Sequence, residues 1–524
     1  MTQTGSNHGS LPGDELTRYI EQARTEWKNV GLAIAVVQGS DVIFTQGFGA
    51  RAFDGSERVD PDTLFQVGST TKAFTTAALA MLVSEGRIHW DDPVIDYLPT
   101  FQLQDPWLTR TLTIRDAVTH RSGISAPFYF VLGILDSDEA IRQLRYSTAQ
   151  APFRDSFVYD NVLYAVAGRV VEVVSGMSWR DYIKRRLLQP LQMNRSGTSP
   201  YEFWERHHVA PVIFGSALRS GATLEDARDR NVAMPHGWDE DGAAVVLPWQ
   251  CYDNAAAAGS LVSSARDMAK WLLLNLNQGC FEGQQLLGPD TVQELHATQN
   301  LHTLHQFPFE RATESYAMGW FRAEYRGHVH LEHGGGIIGF PSYMALLPDQ
   351  QLGIAVLSNG SQEAREQLGV HKLSLHRAIA FWAFDRLLGA PPRDWSQELL
   401  SQAQAAQREI QEHERELQQS RLKNTRPTLP FGQCAGTYED RSKHSGHVYL
   451  QLENGRLRLL FAGDGAFAAE LEHWHQDLFR LRSTVGVADV LGPQFVAFKL
   501  DPAGKVVSMS ASGAFDGEFQ RLSR

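Results

Sequence analysis

Ser69 and Lys72 stand three residues apart in the stretch LFQVGSTTKAFTTAALAMLVSEGRIHWDDPV. A serine hydroxyl is a weak nucleophile, and amide or ester cleavage requires a nearby base to activate it. Residues i and i+3 share one face of a helix, so the Lys72 amine lies alongside Ser69 if this segment is helical. Gly68 permits a sharp entry to the helix, and Gly86 in SEG supplies its C-terminal cap. Phe74, Leu79, Met81 and Leu82 make the interior apolar, which predicts a buried helix. Burial lowers the proton affinity of a lysine, as a base requires. The free N–H groups of a buried helix N-terminus would also stabilise an oxyanion beside the serine. The same spacing at Ser420 and Lys423 falls in a polar segment, where it reads as a solvated helix end.

Two further clusters could serve the same chemistry. In FVYDNVLYAVAGRVVEVVSG, Tyr159 and Asn161 precede a helix whose apolar residues Val162, Val166, Val170 and Val174 recur every four positions. A tyrosine near Lys72 could relay the serine proton to a leaving group. Tyr252 and Asn254, in QCYDNAAAAGS, have the same spacing, and spacing alone does not choose between the pairs. In EHGGGIIGF, glycines 334 to 336 would let a strand approach a ligand closely and offer it an N–H, with His333 beside the serine.

The elements that must position these groups can be read from the hydrophobic pattern. Residues 14 to 29 have helical spacing, and GLAIAVVQG and DVIFTQGFG read as strands joined at Gly39 and Ser40. A helix-rich region full of turns extends from about 60 to 310. MGWFRAEY, HVHLEH, FPSYMALLP and LGIAVLSNG then read as strands, followed by a helix near 366 to 388. Strands at both ends with helices between them predict one antiparallel sheet completed by both termini of the domain. Residues 391 to 430 read as an exposed polar helix and linker. The remainder reads as a small all-β unit in which Asn454-Gly455 marks a hairpin. The expected division is therefore 1–390, 391–430 and 431–524, an α/β domain with an antiparallel sheet flanked by helices and a helix-rich subdomain, followed by a small β-barrel.

VGSTTKAFT, YDNVLYAVAG and HGGGIIGF, in that order, resemble the three motifs of the serine β-lactamase and penicillin-binding-protein superfamily: Ser-x-x-Lys, Tyr-x-Asn and His/Lys-x-Gly. The resemblance runs from about residue 14 to 388, includes LTIRDAVTHRSGI, and is greatest to the branch of class C β-lactamases, D-aminopeptidases, D-alanyl-D-alanine carboxypeptidases and esterases. It implies that Ser69 is the acylated nucleophile, Lys72 its proton partner and Tyr159 the general base and acid. Asn161 would orient the substrate amide, and His333, Gly335 and Gly336 of the third motif would help bind the substrate. The N–H groups of Ser69 and Gly336 would make the oxyanion hole. The tail is similar to the lipocalin-like barrel of some of these peptidases. Penicillin-recognising members usually carry a hydroxyl residue where this chain has Gly334, so β-lactamase activity is expected to be weak at most.

Composition and motif content narrow the remaining choices. The chain has 524 residues, 43% hydrophobic and 21% charged, with a net charge of −12, which argues against a general affinity for nucleic acid. No run of about 18 apolar residues suggests a membrane span. The N-terminal stretch lacks the pattern of a secretory signal, and Cys251, Cys280 and Cys434 fit reduced thiols, so the expected compartment is the cytoplasm. A zinc site built on His328, His330 and His333 would need further ligands on other loops, and His302 and His305 read as loop residues. There is no Gly-x-Ser-x-Gly elbow and no phosphate-binding loop. The expectation is a serine hydrolase needing neither metal nor cofactor. Its substrate would be a small molecule or short peptide, with D- or unusual residues or a linearised cyclic peptide among the candidates. A carboxylesterase and a non-catalytic binding module are the alternatives. The exposed helix and the tail's resemblance suggest self-association.

Overall fold

The computed structural model describes residues 11–53, 55–126, 136–210, 223–238, 243–302, 314–360, 373–440, 447–461, 467–482, 494–512 and 517–522. Its centre is one antiparallel sheet of eight strands. From one edge the order is Asn300–His302, Glu314–Tyr316, Phe321–Tyr325, His328–Ile337, Phe340–Leu347, Leu352–Ser358, Gly31–Gln38 and Asp41–Gly49. The two N-terminal strands thus complete a sheet begun by the C-terminal half of the domain, as the pattern predicted. The strand Gly31–Gln38 is apolar at nearly every position because both its faces are covered. Leu32, Ile34 and Val36 pack with the helices Gly13–Glu26 and Leu375–Leu387, while Ala33, Ala35 and Val37 join the larger core on the other face. That larger core surrounds the helix Thr71–Ser84, which is buried from Thr71 through Leu82.

The edge strand Asn300–His302 and its neighbour Glu314–Tyr316 were not anticipated. Three residues are too few to display a period of two, so these strands exist through their pairing rather than their pattern. The helix expected near 366 to 388 is Leu375–Leu387, and residues 366–372 lie outside the described residues.

The connecting helix corrects an expectation. It spans Trp395–Ser420 but is not exposed along its length, since Trp395, Leu399, Leu400 and Ala403 are buried. Trp395 Nε1 donates to Asp385 Oδ2 at 2.8 Å, and Trp27 Nε1 donates to Ser396 Oγ at 3.0 Å. Its far end meets the C-terminal unit, where Arg480 grips the Glu414 carboxylate with both terminal nitrogens and Arg421 Nε donates to the Trp474 carbonyl at 2.7 Å. The apolar stripe occupies only the first third of the helix, and the polar remainder hid it from a reading averaged over the segment.

The C-terminal unit is a closed eight-stranded barrel running from Gly436–Asp440 to Gly517–Arg521, whose first and last strands pair. Asn454 and Gly455 form its predicted tight hairpin, with φ of 49° and 78°. Among the described residues no single helix is long and apolar enough to cross a membrane. One bent pair, Val162–Ser175 with Trp179–Leu188, passes on length and composition, but its residues Val166, Val170, Tyr182 and Leu187 are buried in the core. The three cysteines are free thiols.

Candidate active site

Ser69 sits in a single 3-10 turn, Gly68–Thr70, that leads directly into the helix Thr71–Ser84. Gly68 has φ +53°, and a Cβ there would lie 2.8 Å from the Gly336 nitrogen. A Cβ on Gly335 would lie 2.0 Å from the Val67 carbonyl oxygen and 2.3 Å from Ser342 Oγ. Both positions therefore need glycine so that the serine turn can lie against the strand His328–Ile337. Ser342 Oγ, on the next strand, donates to Val67 O at 2.8 Å, and Thr71 Oγ1 donates to Gly68 O at 2.7 Å. The turn is thus fastened to the sheet, with the Gly336 amide nitrogen beside it.

Lys72 is fully buried. Its Nζ lies 3.0 Å from Ser69 Oγ, 2.7 Å from Asn161 Oδ1 and 3.0 Å from the Ala258 carbonyl oxygen. An ammonium would donate to all three. A neutral amine has only two N–H donors, and Asn161 Oδ1 and Ala258 O are fixed acceptors that claim them both, so its lone pair faces the Ser69 hydroxyl. Burial pushes the Lys72 proton affinity well below the ordinary lysine value, and the negative charge of Asp160 opposes this. The arrangement can therefore accept the serine proton.

Tyr159, rather than Tyr252, is the tyrosine whose hydroxyl feels the Ser69 hydroxyl. Its ring lies 4.9 Å from Lys72 Nζ. Burial pushes its hydroxyl well above the usual tyrosine value, so at neutral pH it is a phenol that can pass a proton on, not a resting tyrosinate. Tyr252 instead donates to Gln250 Oε1 at 3.0 Å. His333 is buried on the face of its strand that looks toward Ser69. Its Nδ1 donates to the Gly334 carbonyl at 2.6 Å, so in the neutral ring Nε2 accepts from the Tyr316 hydroxyl at 3.2 Å. Gly334 and Gly336 are exposed, whereas Gly335 is buried.

The histidines of HVHLEH do not converge. His328 pairs with Asp349 at 2.6 Å, while His330 is buried against Tyr325, Phe381 and Phe384 on the face opposite His333. His302 ends the strand Asn300–His302, and His305 lies outside the described residues. Ser420 Oγ is exposed and donates to Leu417 O at the end of its helix.

Sequence reasoning passed over four residues of this site. Asp160 is buried between Tyr159 and Asn161. The ring of His120 lies 4.2 Å from that of Tyr159 and 4.7 Å from that of Tyr316, and its Nδ1 accepts the Asp160 N–H at 3.1 Å. Tyr164 donates to Val118 O at 2.7 Å and lies 3.4 Å from the Tyr316 hydroxyl. Asp160 and Tyr164 belong to the quoted YDNVLYAVAG and His120 to LTIRDAVTHRSGI, so the signal was present without a reason to weigh those residues. Tyr316 lies on one of the two unanticipated short strands.

A serine-lysine-tyrosine cluster at the junction of a buried helix and an antiparallel sheet defines a class of hydrolase, and the sequence comparisons agree with it. The Beta-lactamase family model matches residues 16–376, and the chain belongs to that family of serine hydrolases. A second model, for a domain of unknown function (DUF3471), matches residues 420–524, which include the barrel. Unguisins hydrolase ungD of Aspergillus violaceofuscus is 26% identical over 531 residues, covering 95% of this chain and 88% of that protein. Its counterpart ungD' of Aspergillus campestris is 27% identical over 96% of this chain and 90% of that one. The octameric penicillin-binding protein homologue from Pyrococcus abyssi shares the fold over 97% of this chain and 100% of its own, with a TM-score of 0.60 and 22% identity. A D-stereospecific amidohydrolase from Streptomyces sp. matches 67% of this chain and 95% of its own, with a TM-score of 0.52 and 22% identity.

Proposed function

We propose that the protein hydrolyses an amide or short peptide, including bonds to D- or otherwise unusual residues, through an acyl-enzyme on Ser69. The observation that carries this reading is the buried Lys72 amine held 3.0 Å from Ser69 Oγ by two other acceptors. In the first half-reaction Ser69 Oγ bonds to the substrate carbonyl carbon and its proton passes to Lys72. The oxyanion develops toward the N–H groups of Ser69 and Gly336. As the C–N bond breaks, Tyr159 delivers a proton to the departing nitrogen and is reprotonated through Lys72. Water then attacks the ester, releasing the acid and restoring the serine hydroxyl. Asn161, whose Oδ1 is engaged by Lys72, offers its amide nitrogen to a substrate carbonyl. His333 and Gly335 act from behind the site, the histidine through Tyr316 and the glycine by letting the strand lie against the turn.

The preference for amides follows the family resemblance and the names of the unguisins hydrolase and the amidohydrolase. Gly334 supplies no hydroxyl for a substrate carboxylate, which argues against efficient penicillin turnover. The same proposal divides the chain into 1–390, 391–430 and 431–524, places the protein in the cytoplasm, and includes self-association, as in the octameric homologue. The chemistry assigned to these residues calls for no metal or cofactor.

Intact-mass spectrometry after exposure to a fluorophosphonate, on wild type, Ser69→Ala and Ser420→Ala, tests the reading alongside an ester and peptide panel. One adduct that disappears only in Ser69→Ala, with peptide turnover, is expected. No adduct and no turnover in wild type would leave a binding module on a hydrolase fold, and turnover of esters alone would make it a carboxylesterase.

A further inference from the structure

Asp160 lies between the two residues that touch the nucleophile and its base, yet its carboxylate points away from the substrate side. It is 2% exposed. One oxygen accepts the Leu163 N–H at 2.7 Å and the other accepts the Ala126 N–H. The carboxylate therefore caps the helix Val162–Ser175 and ties its first turn to a separate segment of chain. The Asp160 N–H, in turn, is held by His120 Nδ1 at 3.1 Å. Three anchors thus converge on one residue of a three-residue turn whose other members, Tyr159 and Asn161, reach Ser69 and Lys72. Plain helix capping would need none of the other two.

We propose that Asp160 is a positioning residue that holds the Tyr159–Asn161 turn on the Ser69–Lys72 pair and supplies a fixed negative charge against which Lys72 exchanges its proton. The proposal rests on the reading of Ser69 and Lys72 as nucleophile and base. The titratable groups facing Lys72 come from several elements. Tyr159 and Tyr164 present their rings 4.9 Å and 5.2 Å from Nζ. Tyr316 and His333 follow behind Tyr164, and His120 packs against Tyr159, Tyr164 and Tyr316. The tyrosines remain neutral phenols at working pH, because burial raises them all. Asp160 is the carboxylate that opposes the desolvation of Lys72. Burial pushes its own carboxyl up, and the backbone N–H groups and Lys72 draw it down. Without this charge Lys72 would lose its proton more readily, and activity would persist to lower pH. Without the anchors Tyr159 would be less well placed at every pH.

The test is the rate of Ser69 phosphonylation by a fluorophosphonate between pH 5 and 10, in wild type, Asp160→Asn and Asp160→Ser. In this reaction the Oγ–P bond forms, fluoride leaves phosphorus and the serine proton passes to Lys72. Both variants retain a side chain able to cap the helix, and circular dichroism identifies a variant that has not folded, in which case the other serves. The expected result is an acid limb displaced by about one pH unit toward lower pH, with a plateau about tenfold below wild type. An acid limb that coincides with that of the labelled wild type overturns this proposal and leaves the functional reading intact. A wild type that is not labelled at Ser69 overturns the functional reading and this proposal together.

Discussion

The amine of Lys72 faces three acceptors, and only the one on Ser69 carries a proton that chemistry needs moved. Replacing Lys72 with Met keeps the bulk and removes the proposed base. Acylation should fall about a thousandfold while KM for a small ester changes little, as steady-state kinetics would show. The sign of the pH dependence follows from the direction of the Lys72 shift. Activity rises with pH as the ammonium loses its proton, and levels off well below the ordinary lysine value because burial has lowered it. Tyr159→Phe separates two leaving groups. An amide nitrogen must be protonated as it departs and an activated alcohol need not be, so peptide hydrolysis should fall at least about tenfold further than activated-ester hydrolysis. Equal losses on the two substrates would remove Tyr159 from the protonation step.

The turn bearing Ser69 and the strand bearing the glycines must touch for the site to exist. Their contact is set by Gly335, where a methyl group would meet the Val67 carbonyl at 2.0 Å. Gly335→Ala should force the strand and turn apart by a fraction of an ångström to about 1 Å. The expected consequence is a loss of about a hundredfold in kcat with a modest drop in melting temperature. A full wild-type kcat in a folded Gly335→Ala protein would show that this contact does not set the geometry. The same strand carries Glu332 on its other face, paired with Arg377 of the helix Leu375–Leu387 and bonded by the Tyr343 hydroxyl. This buried pair resists sliding of the strand, because separating it would leave charge without a partner in the interior.

At the scale of the molecule, stability should depend on pH through histidines buried in neutral form. Burial pulls His236, His330 and His376 down to about 4 and His296 to about 3. His236 donates through Nδ1 to Asn359 O at 2.8 Å and accepts the Phe53 N–H on Nε2 at 2.9 Å, so protonation would break the second bond. The unfolded chain binds more protons than the folded one between these values and about 6.5, so stability falls as pH falls through that window. Each histidine contributes on the order of 3 to 5 kcal/mol at most. At the alkaline end, Tyr159, Tyr316, Tyr325 and Tyr343 are raised by burial, so the stability of their neutral forms is lost above about pH 10. Melting temperature measured from pH 4 to 11 should therefore form a plateau that falls at both ends. A flat profile below pH 6 would contradict the neutral burial of these histidines.

The pairing of Ser69 with Lys72 was legible in the sequence because helix geometry relates i and i+3 without reference to the rest of the chain. The sheet was legible too, since its long strands carry apolar runs bounded by turn residues, and the barrel hairpin announced itself through Asn454-Gly455. The two short strands and the buried third of the connecting helix were not, because pairing and packing create them where the local pattern is brief or diluted. The choice between Tyr159 and Tyr252 belonged to the tertiary structure. Both occur in Tyr-Asp-Asn segments, and only the fold could bring one of them to Ser69, across 90 residues of chain. Asp160, His120 and Tyr316 are in the same position, with roles defined by contacts between distant segments. Local spacing determined which groups could react together, and long-range packing decided which of their neighbours would govern the proton.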